Sequence, residues 1–150
     1  SPECSTLVYQ ALAEKVEAFE GRIIVGIESR GFVFASAVGG LTSLPLVLAR
    51  KPGKLPRETF CVDYELEYGT ESLELHCDSP ICKSDRIVVI DDLVATGGTA
   101  VAAASLVTEN FGVPCSNLLV LSVINIDECE GDETILAAGF AHQTLLHSKL

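Results

Sequence analysis

The chain has no methionine and no tryptophan, only ten Lys and Arg against twenty-one Asp and Glu, and no cysteine pair at CxxC spacing. Each shortage excludes a class of protein. A net charge of −11 removes the diffuse positive field that gathers nucleic acid or anionic lipid, so an anion must be held by a local site. No apolar run reaches the ~18 residues that read as a membrane span, and the first residues lack the charged-then-apolar pattern of a secretory signal. The cysteines, Cys4, Cys61, Cys77, Cys82, Cys115 and Cys129, form neither a metal clip nor the framework of a small secreted fold. Reduced thiols in an intracellular compartment are expected. With no methionine even at position 1, the chain is expected to lack its initiator and a preceding segment.

What is present is enough apolar residue, 48% of 150, for one domain over residues 1–150, burying roughly two-thirds of the unfolded surface. Leu7, Val8, Ala11, Leu12, Val16 and Phe19 recur at helical spacing, predicting a helix over 6–19 that Gly21 stops. Ile23, Ile24 and Val25 read as a strand buried on both faces. A loop at 28–31, a small-residue helix at 32–41 and a strand at 44–49 follow. Residues 51–57 carry Pro52, Gly53 and Pro56 among charges and read as a loop, and alternation over 65–75 around Tyr68-Gly69-Thr70 predicts a hairpin. Residues 86–90 form the strongest strand pattern, with a helix then running to about Asn110 and further strands at 118–124 and 141–146. Strands alternating with helices define an α/β fold on a parallel sheet.

Asp91-Asp92-Leu93-Val94-Ala95-Thr96-Gly97-Gly98-Thr99 lies at the carboxyl end of that strongest strand, where open parallel sheets bind ligands. Thr96, Gly97, Gly98 and Thr99 put bare backbone amides and two hydroxyls at a helix amino terminus, which suits a phosphate monoester. Two adjacent carboxylates would repel that phosphate, but they accept well from a vicinal diol. The string reads as a ribose-5-phosphate site. An ordinary helix capped by Thr96 or Thr99 would account for a single residue of it.

Gly26 and Gly31 have P-loop spacing, but Phe32 stands where that loop needs lysine, so a nucleoside triphosphatase is not supported. Arg50, Lys51, Lys54 and Arg57 gather four of the ten cations within eight positions, and in so acidic a chain they point to a polyanionic ligand. His76, His142 and His147 share no metal-ligand spacing and are assigned no role.

The segment Val88 through Thr99 resembles the phosphoribosyl pyrophosphate motif of the type I phosphoribosyltransferases. Arg50-Lys51-Pro52-Gly53-Lys54-Leu55-Pro56 and Leu66-Glu67-Tyr68-Gly69 are similar to the adenine branch of that family, as is Gly26-Ile27-Glu28-Ser29-Arg30-Gly31-Phe32. The resemblance implies a central, mostly parallel sheet flanked by helices, a flexible lid hairpin, and an amino-terminal hood that no residue before Ser1 supplies. It implies transfer of phosphoribose to adenine with release of pyrophosphate, as in purine salvage, with Mg2+ carried by the pyrophosphate rather than by a protein cage. Ser29, Arg30, Arg50, Lys51 and Lys54 would meet the pyrophosphate, partly across a homodimer interface, and residues 28–31 would include a non-proline cis bond. Asp91, Asp92, Ala95, Thr96, Gly97, Gly98 and Thr99 would hold the sugar phosphate. Glu67 would transfer the proton at the purine, Tyr68 would close over the reacting centre, and Ile126 would lie against the base. Another purine as acceptor, or a non-catalytic phosphoribosyl pyrophosphate sensor, stays open; a sensor acting on DNA would need a basic patch or helix-turn-helix, and neither is visible. Ser148-Lys149-Leu150 matches a peroxisomal address, so peroxisomal or glycosomal import is expected, and otherwise the cytoplasm.

Overall fold

The computed structural model describes residues 1–66 and 68–149. In chain order they form α1 (Pro2–Ala18), β1 (Ile23–Ile27), α2 (Gly31–Thr42), β2 (Leu46–Ala49), β3 (Thr59–Leu66) and β4 (Gly69–His76). After these come β5 (Ile87–Val94), α3 (Gly98–Phe111), β6 (Leu118–Ile126), α4 (Gly131–Ala137) and β7 (Ala141–Ser148). Five strands make one parallel sheet in the order β2-β1-β5-β6-β7, and β3 pairs with β4 as a separate antiparallel hairpin. The chain winds outward from β1 to β2, then crosses back to β5 and winds the other way. A topological switch point therefore lies between β1 and β5, where successive loops part and leave a crevice.

All five residues of β1 are buried because both faces of the sheet are covered. Ile23, Val25 and Ile27 point into one core with Val89, Val120, Leu106 and Ile135, while Ile24 points into the other with Val88, Ile90, Leu119, Leu12 and Val38. Each fully buried Leu or Ile contributes about 1.5–3 kcal/mol, so the alternation along β1 and β5 ties helices to both faces at once. A Cβ at Gly26 would fall 2.7 Å from the Ala35 methyl; the absence of one lets α2 approach β1 closely.

Three elements depart most from the sequence expectation in their bounds, and a fourth is unexpected. Helix α1 begins at Pro2 rather than residue 6, since the Ser1 hydroxyl accepts from the Cys4 amide at 3.3 Å and Pro2 occupies the first turn, where a missing N–H costs nothing. Strand β5 runs to Val94 rather than residue 90, because Asp91, Leu93 and Val94 stay in register with Ser122, Ile124 and Asn125 of β6. The hairpin starts at Thr59 rather than residue 65, with Phe60, Val62 and Tyr64 packed on the core. Helix α4 was not expected at all: it is seven residues long and only Gly131 and Ile135 are buried, too short a pattern for periodicity to register. Glu67 and Leu150 lie outside the described residues, and with them the proton-transfer expectation and the last residue of the carboxyl-terminal tripeptide.

Candidate active site

A cavity of about 480 Å³ opens at the carboxyl ends of β1 and β5, bounded by residues 28–30, Lys51, the hairpin and residues 91–100. Its floor is the end of β5. Asp91 Oδ1 accepts the Asp92 amide at 2.8 Å, and Gly31 sits so close that a Cβ there would lie 3.0 Å from the same oxygen. Burial, reinforced by the neighbouring Asp92 carboxylate, pushes the Asp91 carboxyl up to about 8, against the pull of Arg30. Asp92 meets Arg30 directly, Oδ2 to Nε at 2.7 Å. Of two adjacent acids, one is driven toward its neutral form and the other is ion-paired.

Beyond the acids the backbone turns at Gly97, in the left-handed region with φ 89°, and α3 begins without any side-chain cap. Neither Thr96 nor Thr99 caps it, so the first-turn amides are left for an anion, with the helix dipole behind them. The turn is wedged against α4. A Cβ at Gly97 would fall 2.8 Å from the Gly131 carbonyl, and a Cβ at Gly131 would collide with the Ala95 carbonyl oxygen. Ala95, Thr96, Gly97, Gly98 and Thr99 all line the cavity.

Across the crevice, Glu28-Ser29 is a cis peptide bond, and Ser29 and Arg30 are exposed to the cavity. Glu28 ties this loop to the basic one: its Oε1 accepts from Arg50 Nε at 3.0 Å and from the Lys51 amide at 3.1 Å. Burial opposes its charge, but the Lys51 amide and the Arg50 guanidinium outweigh that and hold its carboxyl below the usual range. Lys51 lines the cavity. Arg50 does not: its guanidinium turns to Glu28 and lies 5.7 Å over the Phe32 ring. Lys54 stands exposed on the loop, outside the lining, and Ile126 is likewise absent from it, because the floor ends on β5, one strand short of β6. From the hairpin come Tyr64, Leu66, Tyr68 and Glu71, with Tyr68 85% exposed.

Sequence reasoning missed Glu28, Tyr64, Glu71 and Gly131. Glu28 had a signal, since β1 and β2 are parallel with Ile27 opposite Ala49, so residues 28 and 50 emerge side by side with opposite charge. Gly131 had none, because its importance is a tertiary contact. Among the described residues, no three or more His, Cys, Asp or Glu converge as metal ligands.

A switch-point crevice with paired carboxylates beside an uncapped glycine turn has the chemistry to take a sugar phosphate, as an α/β transferase acting on one requires. The chain belongs to the phosphoribosyltransferase family: residues 2–121 match the model of the phosphoribosyl transferase domain. Within it, the chain falls in the adenine branch. It is 47% identical over 126 residues to the adenine phosphoribosyltransferase of Pelagibacter ubique, covering 82% of this chain and 68% of that one. To the enzyme of that name from Chlorobium luteolum it is 44% identical over 118 residues, 79% of this chain and 64% of the relative, so about a third of each relative lies outside the match. The crystal structure of adenine phosphoribosyltransferase from Thermoanaerobacter pseudethanolicus matches with a TM-score of 0.89 at 33% identity, covering 99% of this chain and 83% of that one. The fold implied by the sequence resemblance is the fold observed.

Proposed function

We propose that this chain transfers 5-phosphoribose from 5-phosphoribosyl 1-pyrophosphate to N9 of adenine, forming AMP and releasing pyrophosphate. The observation that carries the reading is the division of one cavity into two chemically different halves. Asp91 and Asp92 stand before the uncapped turn at Gly97, matching a ribose diol and its 5-phosphate; Ser29, Arg30 and Lys51 face them across the crevice, matching a pyrophosphate. With the sugar phosphate fixed, the base meets C1 in line, and orientation alone supplies a large part of the rate. As the bond to pyrophosphate loosens, C1 gains cationic character and the leaving group gains negative charge. Arg30, Lys51 and the Ser29 hydroxyl stabilise that charge, and closure of the hairpin over the site would exclude water.

In this reading the diol takes the place of Arg30 on Asp92, freeing the guanidinium for the pyrophosphate. Arg50 acts through Glu28, which holds the two loops together. Tyr68 closes over the cavity, and Glu67 is the proton-transfer residue at the purine. Lys54 and Ile126, outside the cavity of a single chain, are assigned to an assembled homodimer and to the base; the exposed Val33 and Leu41 of α2 support a second copy as partner. Magnesium is read as a companion of the pyrophosphate, held by that ligand's oxygens and by water rather than by a cage of side chains. When bound, it neutralises charge on the leaving group. Ser148-Lys149-Leu150 supports peroxisomal or glycosomal import wherever it stands at a carboxyl terminus, which a fluorescent protein fused ahead of residue 1 would show by its location. Chromatography of the product formed with adenine, hypoxanthine, guanine or xanthine tests the activity: AMP alone is expected, and a different nucleotide would replace adenine as the acceptor.

A further inference from the structure

A buried polar chain lies behind the phosphate turn and has no part in the chemistry above. Ser122, fully buried on β6, faces His142 on β7, whose side chain is 1% exposed. The Ser122 hydroxyl is 3.0 Å from His142 Nε2 and 2.9 Å from the Thr144 hydroxyl, and His142 Nδ1 is 2.7 Å from Asp132 Oδ1. The order Ser-His-Asp matches a hydrolytic triad, but Ser122 is sealed in the sheet and does not line the cavity, so it attacks nothing. What the chain does is set by where Asp132 stands.

Asp132 is the second residue of α4, and the first is Gly131, on which the phosphate turn rests. A Cβ at Gly131 would collide with the Ala95 carbonyl oxygen and fall 2.6 Å from Val94 Cγ1, and one at Gly97 would fall 2.8 Å from the Gly131 carbonyl. Seven residues are too few to hold a helix by themselves, and past Gly131 the helix buries only Ile135. Its orientation therefore needs a second anchor. His142 supplies one: Ser122 fixes one edge of the ring and the other edge donates to Asp132, whose side chain is 41% exposed.

We propose that the Ser122–His142–Asp132 chain is a positioning device for the phosphate turn, fixing the first turn of α4 so that Gly131 sets the height of residues 95–97. The inference rests on the reading of that turn as the ribose-phosphate site. It makes Ser122, His142 and Asp132 positioning residues that affect one half of the cavity and not the other.

Titration calorimetry on the full chain tests it, with ribose 5-phosphate and magnesium pyrophosphate as separate probes. In Asp132→Ala, affinity for ribose 5-phosphate should fall about tenfold while that for pyrophosphate stays within about twofold. Asp132→Asn keeps an oxygen to accept from His142 and should restore ribose 5-phosphate binding to within about threefold of the unmodified chain. Asp132 is partly exposed, so both variants are expected to fold, which a melting curve of each checks. Unchanged ribose 5-phosphate binding in Asp132→Ala, with the unmodified chain binding normally, would overturn the positioning role alone. Equal weakening of both probes would overturn it in favour of general destabilisation. Failure of the unmodified chain to bind ribose 5-phosphate would overturn the phosphate-site reading and the inference together.

Discussion

Where the cavity meets β5 and α3 it is lined by backbone that leaves no room for a methyl group at Gly97 or Gly131. Where it meets residues 28–30 and the hairpin it is lined by reaching side chains, with the side chain of Arg30 77% exposed and Tyr68 85% exposed. The proposed chemistry gives this asymmetry a reason. A phosphate that stays on the sugar throughout is met by fixed amides that need no reorganisation. A pyrophosphate that must arrive, gain charge and leave is met by long side chains held through ion pairs, which can exchange partners.

The largest break in the comparison comes from its fixed half. Asp91→Asn removes an oxygen acceptor for the diol, and transfer should fall by at least about 100-fold in steady-state assays. The same change should stabilise the protein in mild alkali. A carboxyl raised to about 8 in the fold from the ordinary carboxylate range contributes stability at low pH that is lost as pH rises through about 8. Melting at pH 9 should therefore be higher in Asp91→Asn by about 3–6 °C, with little difference at pH 4. Next, Gly97→Ala forces a side chain into positive φ and toward the Gly131 carbonyl, costing about 1–3 kcal/mol; KM for phosphoribosyl pyrophosphate should rise at least about tenfold with kcat less affected.

Changes in the side-chain half are expected to be smaller. Glu28→Gln weakens the link between the cis loop and Arg50, and kcat/KM for phosphoribosyl pyrophosphate should fall about fivefold, less than for a residue touching the transition state. Tyr68→Ala should leave melting within about 0.5 kcal/mol of unchanged, since the ring makes little buried contact. Its effect belongs in a modest fall in kcat, readable as increased hydrolysis of the sugar pyrophosphate in place of transfer.

The two halves also differ in how far they could be read from the chain. Residues 91–99 were legible because their requirement is local: paired acids, then glycines where amides must be bare. The run of β5 through Asp91 and Asp92 was not, since acidic residues are poor strand formers and only the ladder to β6 keeps them extended. Arg50 was recognised as a cation, but its partner Glu28 stands 22 positions away and becomes a neighbour only through the β1–β2 register. Helix α4 and Gly131 were invisible for the same reason in stronger form: seven residues, of which only Gly131 and Ile135 are buried, whose role exists only once β5, β6 and β7 are assembled. The fold class and the phosphate turn follow from pattern; the supports beneath the turn follow from packing.

The most direct test of the central claim is pyrophosphate release from phosphoribosyl pyrophosphate and magnesium, with and without adenine, in the unmodified chain and in Asp91→Asn. Release that requires adenine and is lost in the variant is the predicted result. Release that is equal without adenine, or that survives intact in Asp91→Asn, would contradict the assignment of this cavity to adenine phosphoribosyl transfer.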